Sequence, residues 1–480
     1  MINNFFKTIK SNLNDKKSVF SKIGEKEITY FEVKNIVEKI LFKIKNIKRQ
    51  KIAIFSDKSF NYYASVISII FSNNIWIQIS PNMPEDRIKK ICKISQIKYA
   101  LYDKSYGNEK VKKNIALRFF DLDEINKKNN LKKICIPKIK ANDTAMIFFT
   151  SGSTGLPKGV EITYKNFINC MFHQINNLRY KYGKENFSDY HDTTFVMSLV
   201  VIFPAIYLKC SINPLIHFKD KMYPTNHIVK NNVSTIITVP SFILFISSQL
   251  NKKIKLNNLI LCGENFPINI LNIVNKKFKY NNLYNLYGST ETSPWAFFYK
   301  YNVKDIGIIK KFGQVPIGNP FPKVNINFDK EKQLLISGDI ITKGYFKNLK
   351  ENKEKFLKIK NKKYYKTGDI VKKIKKYYFC VGRTDTQIKL RGYRIDTTEI
   401  ESHVKKIKAI KYCYCYLSNK KNPYIVLLCL SQIKLYEDKI IAHLKKHVPS
   451  YMVPQKIVLL NKIKFNKNGK VDKSYYKSKY

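Results

Sequence analysis

Glycine is rare in this chain, and its placement restricts the possible fold more than any other feature of the sequence. The 480 residues include 17 glycines, and 8 of these lie in five short segments. An even spread would put only about 1.3 glycines there, and glycine is the residue that tolerates left-handed or crowded backbone. The segments are residues 150–159, 287–291, 365–369, 382–394 and 468–470. We therefore expect specialised tight loops at these five places.

The first segment has the composition of an anion-binding loop. Its sequence, TSGSTGLPKG, follows an apolar run at 144–150 that predicts a buried strand. A Gly, Ser and Thr loop after a strand offers several N–H groups and hydroxyls to one anion, although the spacing is not that of a Walker A loop. We predict that this loop binds a polyphosphate. The candidate ligands are Thr150, Ser151, Gly152, Ser153, Thr154, Gly155 and Lys158.

Three further segments supply groups that a nucleotide site needs. Tyr287 offers an aromatic ring that could stack on a base, and Glu291 offers a carboxylate for Mg²⁺. Asp369 could accept hydrogen bonds from both ribose hydroxyls, and Arg383 offers a planar fork of donors that lysine cannot reproduce. Together with the loop, these residues predict a nucleotide-binding site.

The charge balance is extreme but uninformative about a partner. There are 88 Lys and Arg against 35 Asp and Glu, a formal net charge of +53, yet only seven residues are Arg. The lysines are spread along the whole chain, which favours a biased, solvated surface over a nucleic-acid site. Binding to a polyanion stays a distant alternative that salt-sensitive retention on heparin would reveal.

Other features of composition point to an ordinary intracellular protein. No run approaches the roughly 20 apolar residues of a membrane-spanning helix, and the first residues lack the apolar core of a signal peptide. The nine cysteines are odd in number and contain no CxxC pair, so we expect free thiols in a reducing compartment. We predict a cytoplasmic protein without a membrane span.

Taken in order, the segments resemble the core motifs of the AMP-forming adenylating enzymes, the superfamily of acyl-CoA synthetases, luciferase and peptide-synthetase adenylation domains. Residues 28–40 resemble the early "LTYxEL" helix, and residues 74–91 resemble the "GAAYVPIDPxxPxxRI" stretch. GRTDTQIKLRGYRIDTTEIE at 382–401 resembles the peptide-synthetase branch. LCGEN at 261–265 and NKNGKVDK at 466–473 resemble stand-alone amino-acid or D-alanine–carrier protein ligases.

The resemblance implies an α/β fold in two domains. A large N-terminal domain, residues 1–384, would contain mixed sheets flanked by helices and would bind ATP and the carboxylate. A small, mobile α+β domain, residues 386–480, would carry the catalytic lysine. Asp385 would be the hinge between them.

The resemblance also implies roles for individual residues. Thr150, Ser151 and the rest of the glycine-rich loop would hold the β- and γ-phosphates of ATP. Glu291 would bind Mg²⁺, and Lys470 would reach the carboxylate and the α-phosphate. Residues lining the adenine and α-phosphate would be Asn285, Tyr287, Gly288, Ser289 and Thr290. Those nearest the ribose would be Asp369 and Arg383. The catalytic residues would be Lys470, Glu291 and Thr150.

The carboxylate pocket departs from the peptide-synthetase pattern. FVMSLVVIFPAI at 195–206 aligns with "FDLSVMDIYPSL" and places Val196 where relatives have an Asp that pairs with the α-ammonium of the substrate. A buried ammonium without a counter-charge is costly, so the apolar wall favours an acyl, aryl or keto acid. Either the substrate lacks the amine, or the amine is held elsewhere, or the alignment is shifted. We assign Val196, Gly263 and Lys470 to this pocket.

The function implied by the resemblance is ATP-dependent adenylation of a carboxylic, possibly amino, acid. The acyl-AMP would form with release of pyrophosphate, and its acyl group would pass to the phosphopantetheine thiol of a separate carrier protein. We expect a free-standing enzyme with ATP and Mg²⁺ as cofactors. Two alternatives stay open: an acyl-CoA synthetase, and an inactive nucleotide-binding regulator.

Overall fold

In the computed structural model the chain divides into two units. The structure describes residues 1–152, 155–420, 422–431, 436–460, 464 and 472–480. The first unit consists of residues 1–81, 95–148 and 159–384. The second consists of residues 82–94, 149–158 and 385–480. The predicted domains, with a hinge at Asp385, stay a prediction.

Short apolar runs of the first 384 residues form strands. They are β1 (Val19–Ile23), β2 (Lys26–Thr29), β3 (Lys51–Phe55), β4 (Ile75–Ile79), β5 (Tyr99–Tyr102), β6 (Arg118–Asp121), β7 (Thr144–Thr150), β8 (Lys158–Thr163), β9 (Asn186–Asp189), β10 (Ser211–Pro214), β11 (Thr235–Thr238), β12 (Ile254–Cys262), β13 (Phe278–Tyr287), β14 (Phe297–Lys300), β15 (Asn319–Pro320), β16 (Asn325–Phe328), β17 (Gln333–Ser337), β18 (Gly344–Tyr345), β19 (Phe356–Ile359), β20 (Lys362–Ile374) and β21 (Tyr377–Arg383). The predicted strand at 144–150 is confirmed as β7.

These strands form three sheets. A nine-stranded sheet has the order β15-β14-β13-β12-β11-β9-β10-β1-β2, and a seven-stranded sheet has the order β18-β8-β7-β4-β3-β5-β6. The smaller third sheet has the order β16-β17-β20-β19, with β21 paired to β20. In the largest sheet β10, β9, β11, β12 and β13 run parallel, while β14 runs antiparallel to β13.

Helices connect the strands. They are α1 (Ile2–Asn12), α2 (Tyr30–Lys43), α3 (Phe60–Phe71), α4 (Glu85–Ser95), α5 (Val111–Asn114), α6 (Leu122–Asn126), α7 (Tyr164–Asn177), α8 (Leu199–Tyr207), α9 (Phe218–Met222), α10 (Pro224–Lys230), α11 (Pro240–Ser248), α12 (Ile268–Lys277), α13 (Ile306–Phe312) and α14 (Leu349–Lys355). Local sequence sets their starts: the Thr29 hydroxyl accepts from the backbone N–H of Glu32, and the Glu32 carboxylate accepts from the backbone N–H of Thr29, as in a capping box.

Aromatic side chains fill the main core of the first unit. Phe5, Tyr30, Tyr62, Trp76 and Tyr164 are among its largest fully buried residues. Rings of this size bury a large apolar area each, and buried tyrosines need a partner for their hydroxyl. The hydroxyl of Tyr164, for example, donates to the carbonyl of Ile70 at 3.0 Å.

The second unit has its own small sheets and core. Its further elements are β22 (Gln387–Leu390), β23 (Tyr393–Asp396), α15 (Thr397–Val404), β24 (Ile410–Leu417), β25 (Ile425–Ser431), α16 (Glu437–His447), β26 (Lys456–Leu460) and α17 (Lys473–Lys479). β22 pairs with β23, and β24, β25 and β26 form a three-stranded sheet. Cys413 and Cys415 are two residues apart on β24 and are both buried, so their side chains lie on the same face of the strand.

The predicted fold class is confirmed: mixed sheets and helices make an α/β protein with a C-terminal α+β portion. Among the residues that the structure describes, no helix is both long and apolar enough to cross a membrane.

Candidate functional site

Candidate residues follow the carboxyl ends of parallel strands in the nine-stranded sheet. β12 and β13 pair in parallel, with Cys262 opposite Leu286, so the next residues along these strands are Gly263 and Tyr287. Ligand sites of open α/β sheets lie at this edge, where the strand ends present loops. The sheet thus places one predicted pocket residue beside a predicted nucleotide-binding residue.

Two side chains from other segments meet at the carboxylate of Asp369. The Tyr287 hydroxyl donates to Asp369 Oδ2 at 2.6 Å, and Arg383 Nη1 donates to Asp369 Oδ1 at 2.5 Å. Asp369 lies opposite Arg383 in the β20–β21 pair. Asp369 is 4% exposed and Tyr287 is 6% exposed, so these contacts are shielded from water. Burial, and then the carboxylate of Asp369, raise the pKa of Tyr287 well above its usual value.

The backbone around Asp369 is held rigidly. The Thr367 hydroxyl accepts from the Asp369 N–H at 3.0 Å, and the Gln333 side chain accepts from the Gly368 N–H at 2.8 Å. The Gly368 carbonyl accepts from the Thr384 N–H at 2.8 Å. Gly368 has φ +79°, a conformation that favours glycine. The Asp369 carboxylate is therefore presented in one fixed orientation.

Glu291 is a buried carboxylate held by a tyrosine. It is 1% exposed, and the Tyr345 hydroxyl donates to its Oε1 at 2.7 Å. Among the described residues, no three His, Cys, Asp or Glu side chains cluster to hold a metal by themselves. Mg²⁺ is commonly bound by one or two carboxylates together with substrate phosphates. A single buried oxygen donor such as Glu291 fits that kind of site.

The turn after β13 is crowded by its own backbone. A Cβ at Gly288 would lie 2.0 Å from the carbonyl oxygen of Pro294, so only glycine fits there. The Ser289 N–H donates to the Thr292 hydroxyl at 2.8 Å, and Thr290 begins a 3₁₀ turn. Within β13, the Asn285 side chain donates to the Pro316 carbonyl at 2.9 Å. The predicted adenine-lining residues are thus gathered on one rigid turn and the strand before it.

The two other pocket candidates lie on separate elements. Gly263 follows β12 with φ +79°, and a Cβ there would lie 3.4 Å from the Val239 side chain. Val196 begins the 3₁₀ turn Val196–Ser198, just before α8, and is 7% exposed. Val196 packs in the main apolar cluster of the first unit. Its environment agrees with the predicted apolar wall, while its role stays a prediction.

A buried polar group at the end of β9 was not predicted from the sequence. Lys58 Nζ lies 3.1 Å from Asp189 Oδ1, and the Tyr63 hydroxyl donates to Asp189 Oδ2 at 2.7 Å. The Lys58 and Asp189 side chains are 5% and 1% exposed. The sequence gives little signal for this pair, because 131 residues separate its members.

In the second unit the predicted phosphate loop contacts protein groups. Ser151 Oγ donates to the Arg394 carbonyl at 3.2 Å and accepts from the Asp396 N–H at 3.1 Å. The Gly152 N–H donates to Glu399 Oε2 at 3.1 Å. Lys158 is buried at the start of β8. Thr150 is the last residue of β7.

The remaining predicted site residues either make a local hydrogen bond or lie outside the residues that the structure describes. The Asp385 side chain accepts from the Gln387 N–H at 3.3 Å, a contact within the second unit. Three predicted site residues lie outside the described residues: Ser153, Thr154 and Lys470. Their roles stay predictions made from the sequence.

Glu399 and Arg87 are potential functional residues that the sequence interpretation did not assign. Arg87 Nη1 donates to Glu399 Oε1 at 2.5 Å, and both side chains are buried. The signal was present in the sequence, because Arg87 is one of only seven arginines among 88 basic residues and lies in the segment 74–91 that resembles a family motif. Arginine differs from lysine in its rigid fork of donors, so this choice indicates a fixed geometry.

Comparisons with known proteins show the family of this chain. Residues 7–346 match the AMP-binding enzyme family, so the chain belongs to that family. It is 26% identical over 464 residues to the D-alanine–D-alanyl carrier protein ligase of Staphylococcus aureus strain MRSA252, covering 93% of each chain. It is 27% identical over 477 residues to bacitracin synthase 1 of Bacillus licheniformis, with 94% of this chain covered. The chain spans only 9% of the latter protein.

Solved structures share the fold. The Vibrio cholerae adenylation domain AlmE in complex with glycyl-adenosine-5′-phosphate has a TM-score of 0.87, with 17% identity and coverage of 99% and 97%. The o-succinylbenzoate CoA synthetase of Bacillus subtilis has a TM-score of 0.85, with 17% identity and coverage of 99% and 98%. These identities are low, so the likeness concerns the fold.

The comparisons confirm the predicted resemblance and the predicted enzyme class. The protein is an adenylating, AMP-forming acid–thiol ligase, and enzymes of its family use ATP.

Proposed function

We propose that this protein activates a carboxylic acid as its acyl-AMP and transfers the acyl group to the phosphopantetheine thiol of a separate carrier protein. The observation that carries the proposal is the convergence of Tyr287 and Arg383 on Asp369. Tyr287 is 82 residues from Asp369 in the sequence and Arg383 is 14 residues from it. A fixed, buried carboxylate suits recognition of two ribose hydroxyls, because it offers two acceptor oxygens.

The residues of this chain would divide the work of adenylation. Asp369 and Arg383 would orient the ribose, and the loop from Thr150 to Gly159 would bind the β- and γ-phosphates. Glu291 would hold Mg²⁺, which when bound would neutralise charge on the phosphates. Lys470 would offset the negative charge that grows as the carboxylate oxygen attacks the α-phosphorus and pyrophosphate leaves.

The acceptor is proposed from the relatives. The D-alanine–D-alanyl carrier protein ligases of Staphylococcus aureus and of Lactococcus lactis subsp. lactis each match over 93% of their own length. Two free-standing ligases of that kind support a carrier protein as the partner of this chain. CoA is the competing acceptor, and an assay of acyl transfer from pre-formed acyl-AMP to CoA or to a carrier protein separates the two.

The acid is proposed from the pocket. In the sequence alignment Val196 would take the place of the Asp that pairs with an α-ammonium, and Val196 packs in an apolar cluster. We therefore favour an acid without an α-amino group. A reducing, cytoplasmic location is proposed as well, because all nine cysteines are free thiols.

The test is carboxylate-dependent exchange of labelled pyrophosphate into ATP by the purified chain. Amino acids would be run beside matched acids that lack the amine. Lys470→Ala should abolish exchange, while Lys467→Ala, a neighbouring lysine with no proposed role, should leave it intact.

Each result bears on a different part of the proposal. Exchange with deaminated acids alone would support both the adenylation and the apolar pocket. Exchange with an α-amino acid would overturn the argument from Val196. Absence of exchange across a broad panel, with ATP still bound, would favour the inactive regulator. Acyl transfer to CoA but not to carrier proteins would replace the proposed acceptor.

A further inference from the structure

A cavity of about 390 Å³ in the first unit is lined by many cations. Six of its thirteen lining residues are basic, whereas the share in the whole chain, 88 of 480 residues, would supply only about two. None of the thirteen is acidic, so the cavity is more positive than the rest of this basic chain would lead one to expect. The basic residues are Lys45, Lys48, Arg49, Lys132, Lys133 and Lys138.

The cavity lies at the amino-terminal edge of the seven-stranded sheet. Its lining residues belong to the segments 41–49, 71–73 and 132–138, which precede β3, β4 and β7. These three strands run parallel to one another. The predicted phosphate loop follows β7, so it leaves the sheet at the opposite edge. The cavity is therefore separate from the residues assigned to nucleotide binding.

Hydrogen bonds fix the third of these segments as one wall of the cavity. The Glu38 carbonyl accepts from the Lys132 N–H at 3.0 Å, and Glu38 Oε1 accepts from the Ile134 N–H at 3.2 Å. Farther along, the Asn73 side chain donates to the Lys138 carbonyl at 3.5 Å. Glu38 and Ile134 are buried. The wall is thus formed in advance of any ligand.

The cations belong to two basic segments, residues 45–49 and 132–138, and lack anionic partners. In the part of the chain that the structure describes, none of the six forms an ion pair with a carboxylate. Lys112, by contrast, pairs with Asp121 at 2.7 Å. Like charges held close together repel each other and destabilise the compact state. An anion bound between the two basic segments would remove this repulsion.

The floor of the cavity is apolar. Leu41, Ile44 and Phe71 line it, and all three are buried. Small-molecule sites have volumes of about 300–1,000 Å³ and combine an apolar lining with a few polar groups. A nucleic-acid site would instead need a groove that follows the backbone of the strand. The cavity therefore fits a compact ligand with an apolar part and several negative charges.

We propose that this cavity binds a small organic polyphosphate. The phosphate groups lie between the two basic segments, and the organic part lies on Leu41, Ile44 and Phe71. Arg49 supplies a planar fork that can donate two hydrogen bonds to one phosphate, and the lysines act as point charges. Six cations match the charge of several phosphate groups better than that of a single carboxylate.

Cys135 provides a local readout of binding. It lines the cavity, and of the nine free cysteines it alone is exposed. The probes are inorganic tripolyphosphate and guanosine triphosphate, and the rate of Cys135 modification by uncharged N-ethylmaleimide is followed by peptide mass spectrometry. At ten times its dissociation constant, a probe should slow the modification about tenfold, because only the free protein reacts.

A triple variant tests the contribution of the cations. Lys45→Gln, Lys48→Gln and Lys133→Gln change exposed side chains and leave the core intact. The concentration of tripolyphosphate that gives half-protection should rise about tenfold, because each exposed ion pair contributes little but three are lost together. The matched control neutralises three exposed lysines elsewhere in the first unit: Lys252→Gln, Lys255→Gln and Lys279→Gln.

The control separates a built site from general attraction to a basic surface. Half-protection in the control should stay at the wild-type concentration. Equal shifts in the two triple variants, or no protection of Cys135 in the folded wild type, would overturn the proposal. Stronger protection by a single-stranded oligonucleotide than by either probe would also overturn it and assign the cavity to nucleic acid.

The two probes test the apolar floor. Guanosine triphosphate should protect Cys135 at a lower concentration than tripolyphosphate, because its organic part can cover apolar surface. Protection by the nucleotide that is no better would contradict an organic ligand. These measurements need no carboxylic acid, carrier protein or turnover, so their outcome does not depend on the proposed adenylation.

Discussion

Asp369 shows how far the chemistry of one side chain depends on residues remote in sequence. The resemblance to the adenylating enzymes implied that Asp369 and Arg383 would both lie near the ribose. It did not predict that the Tyr287 hydroxyl would donate to the same carboxylate, since that contact crosses from β13 to β20. The Tyr287 ring packs edge-to-face on Phe297, and its stacking on adenine stays a prediction.

Tyr287→Phe tests the role of Asp369 without removing its charge. The substitution deletes one of the two side-chain hydrogen bonds that orient the carboxylate, so we expect the KM for ATP to rise about tenfold. Steady-state exchange kinetics would measure this. Tyr299→Phe is the matched control. Tyr299 lies on the neighbouring strand β14, and its hydroxyl donates to Asp305 Oδ2 at 2.9 Å. Equal KM values for the two variants would contradict the assignment.

Glu291→Gln tests the metal assignment. Loss of the charged oxygen should raise the Mg²⁺ concentration needed for half-maximal exchange and lower kcat about 100-fold. A Mg²⁺ titration at saturating ATP would show both effects. Glu185→Gln provides the comparison: Glu185 is also buried, but it lies just before β9 and accepts from Ser234 and Thr235. An unchanged Mg²⁺ requirement in Glu291→Gln would refute the role.

At the scale of elements, strands were easier to predict than the contacts of loops. The apolar run at 144–150 gave β7 with its observed bounds, because its burial is visible as hydrophobicity. The contact between the loop after β7 and α15 was not predictable, since Gly152 and Glu399 are 247 residues apart. The periodicity of apolar residues and the local composition predict local structure, whereas this contact depends on tertiary packing.

Gly288→Ala tests whether the turn after β13 tolerates a side chain. The added Cβ would lie 2.0 Å from the Pro294 carbonyl oxygen, so the turn must shift and Ser289 with it. We expect a lower unfolding temperature and loss of most exchange activity. Gly307→Ala, in α13 with open space around it, should instead stabilise the chain by up to about 1 kcal/mol. Full activity in Gly288→Ala would show that the turn does not position the nucleotide.

At the scale of the whole molecule, folding buries ionisable side chains that would be protonated more readily in water. His191 follows β9 in the first unit, and its Nε2 is shielded from solvent. Burial, and then the positive charge of Lys58, lower the pKa of His191 to about 4, although Asp189 acts in the opposite direction. This lowered pKa was not predictable from the sequence, because His191 is isolated along the chain.

The pH dependence of stability follows from the lowered pKa of His191. Its ordinary value is 6.5, so between pH 6.5 and about 4 the unfolded chain binds a proton that the folded chain does not. The free energy of unfolding should therefore decrease as the pH is lowered from 6.5 to about 4. The expected decrease is about 2 kcal/mol after allowance for the partial exposure of the side chain. Denaturant unfolding at several pH values would measure the slope.

His191→Gln should flatten that slope, while His217→Gln, at an exposed position, should not. Identical slopes in the wild type and His191→Gln would show that another group controls the acid sensitivity. The comparison uses slopes, so a general loss of stability in the variant does not affect it.

The central claim is that this enzyme cleaves ATP at the α-phosphorus. The most direct test is a single-turnover reaction with α-labelled ATP, an accepted acid and a carrier-bound thiol, with products separated by chromatography. We predict labelled AMP, pyrophosphate and thioester in equal amounts, with acyl-AMP accumulating when the thiol is left out. Labelled ADP with inorganic phosphate would contradict the claim.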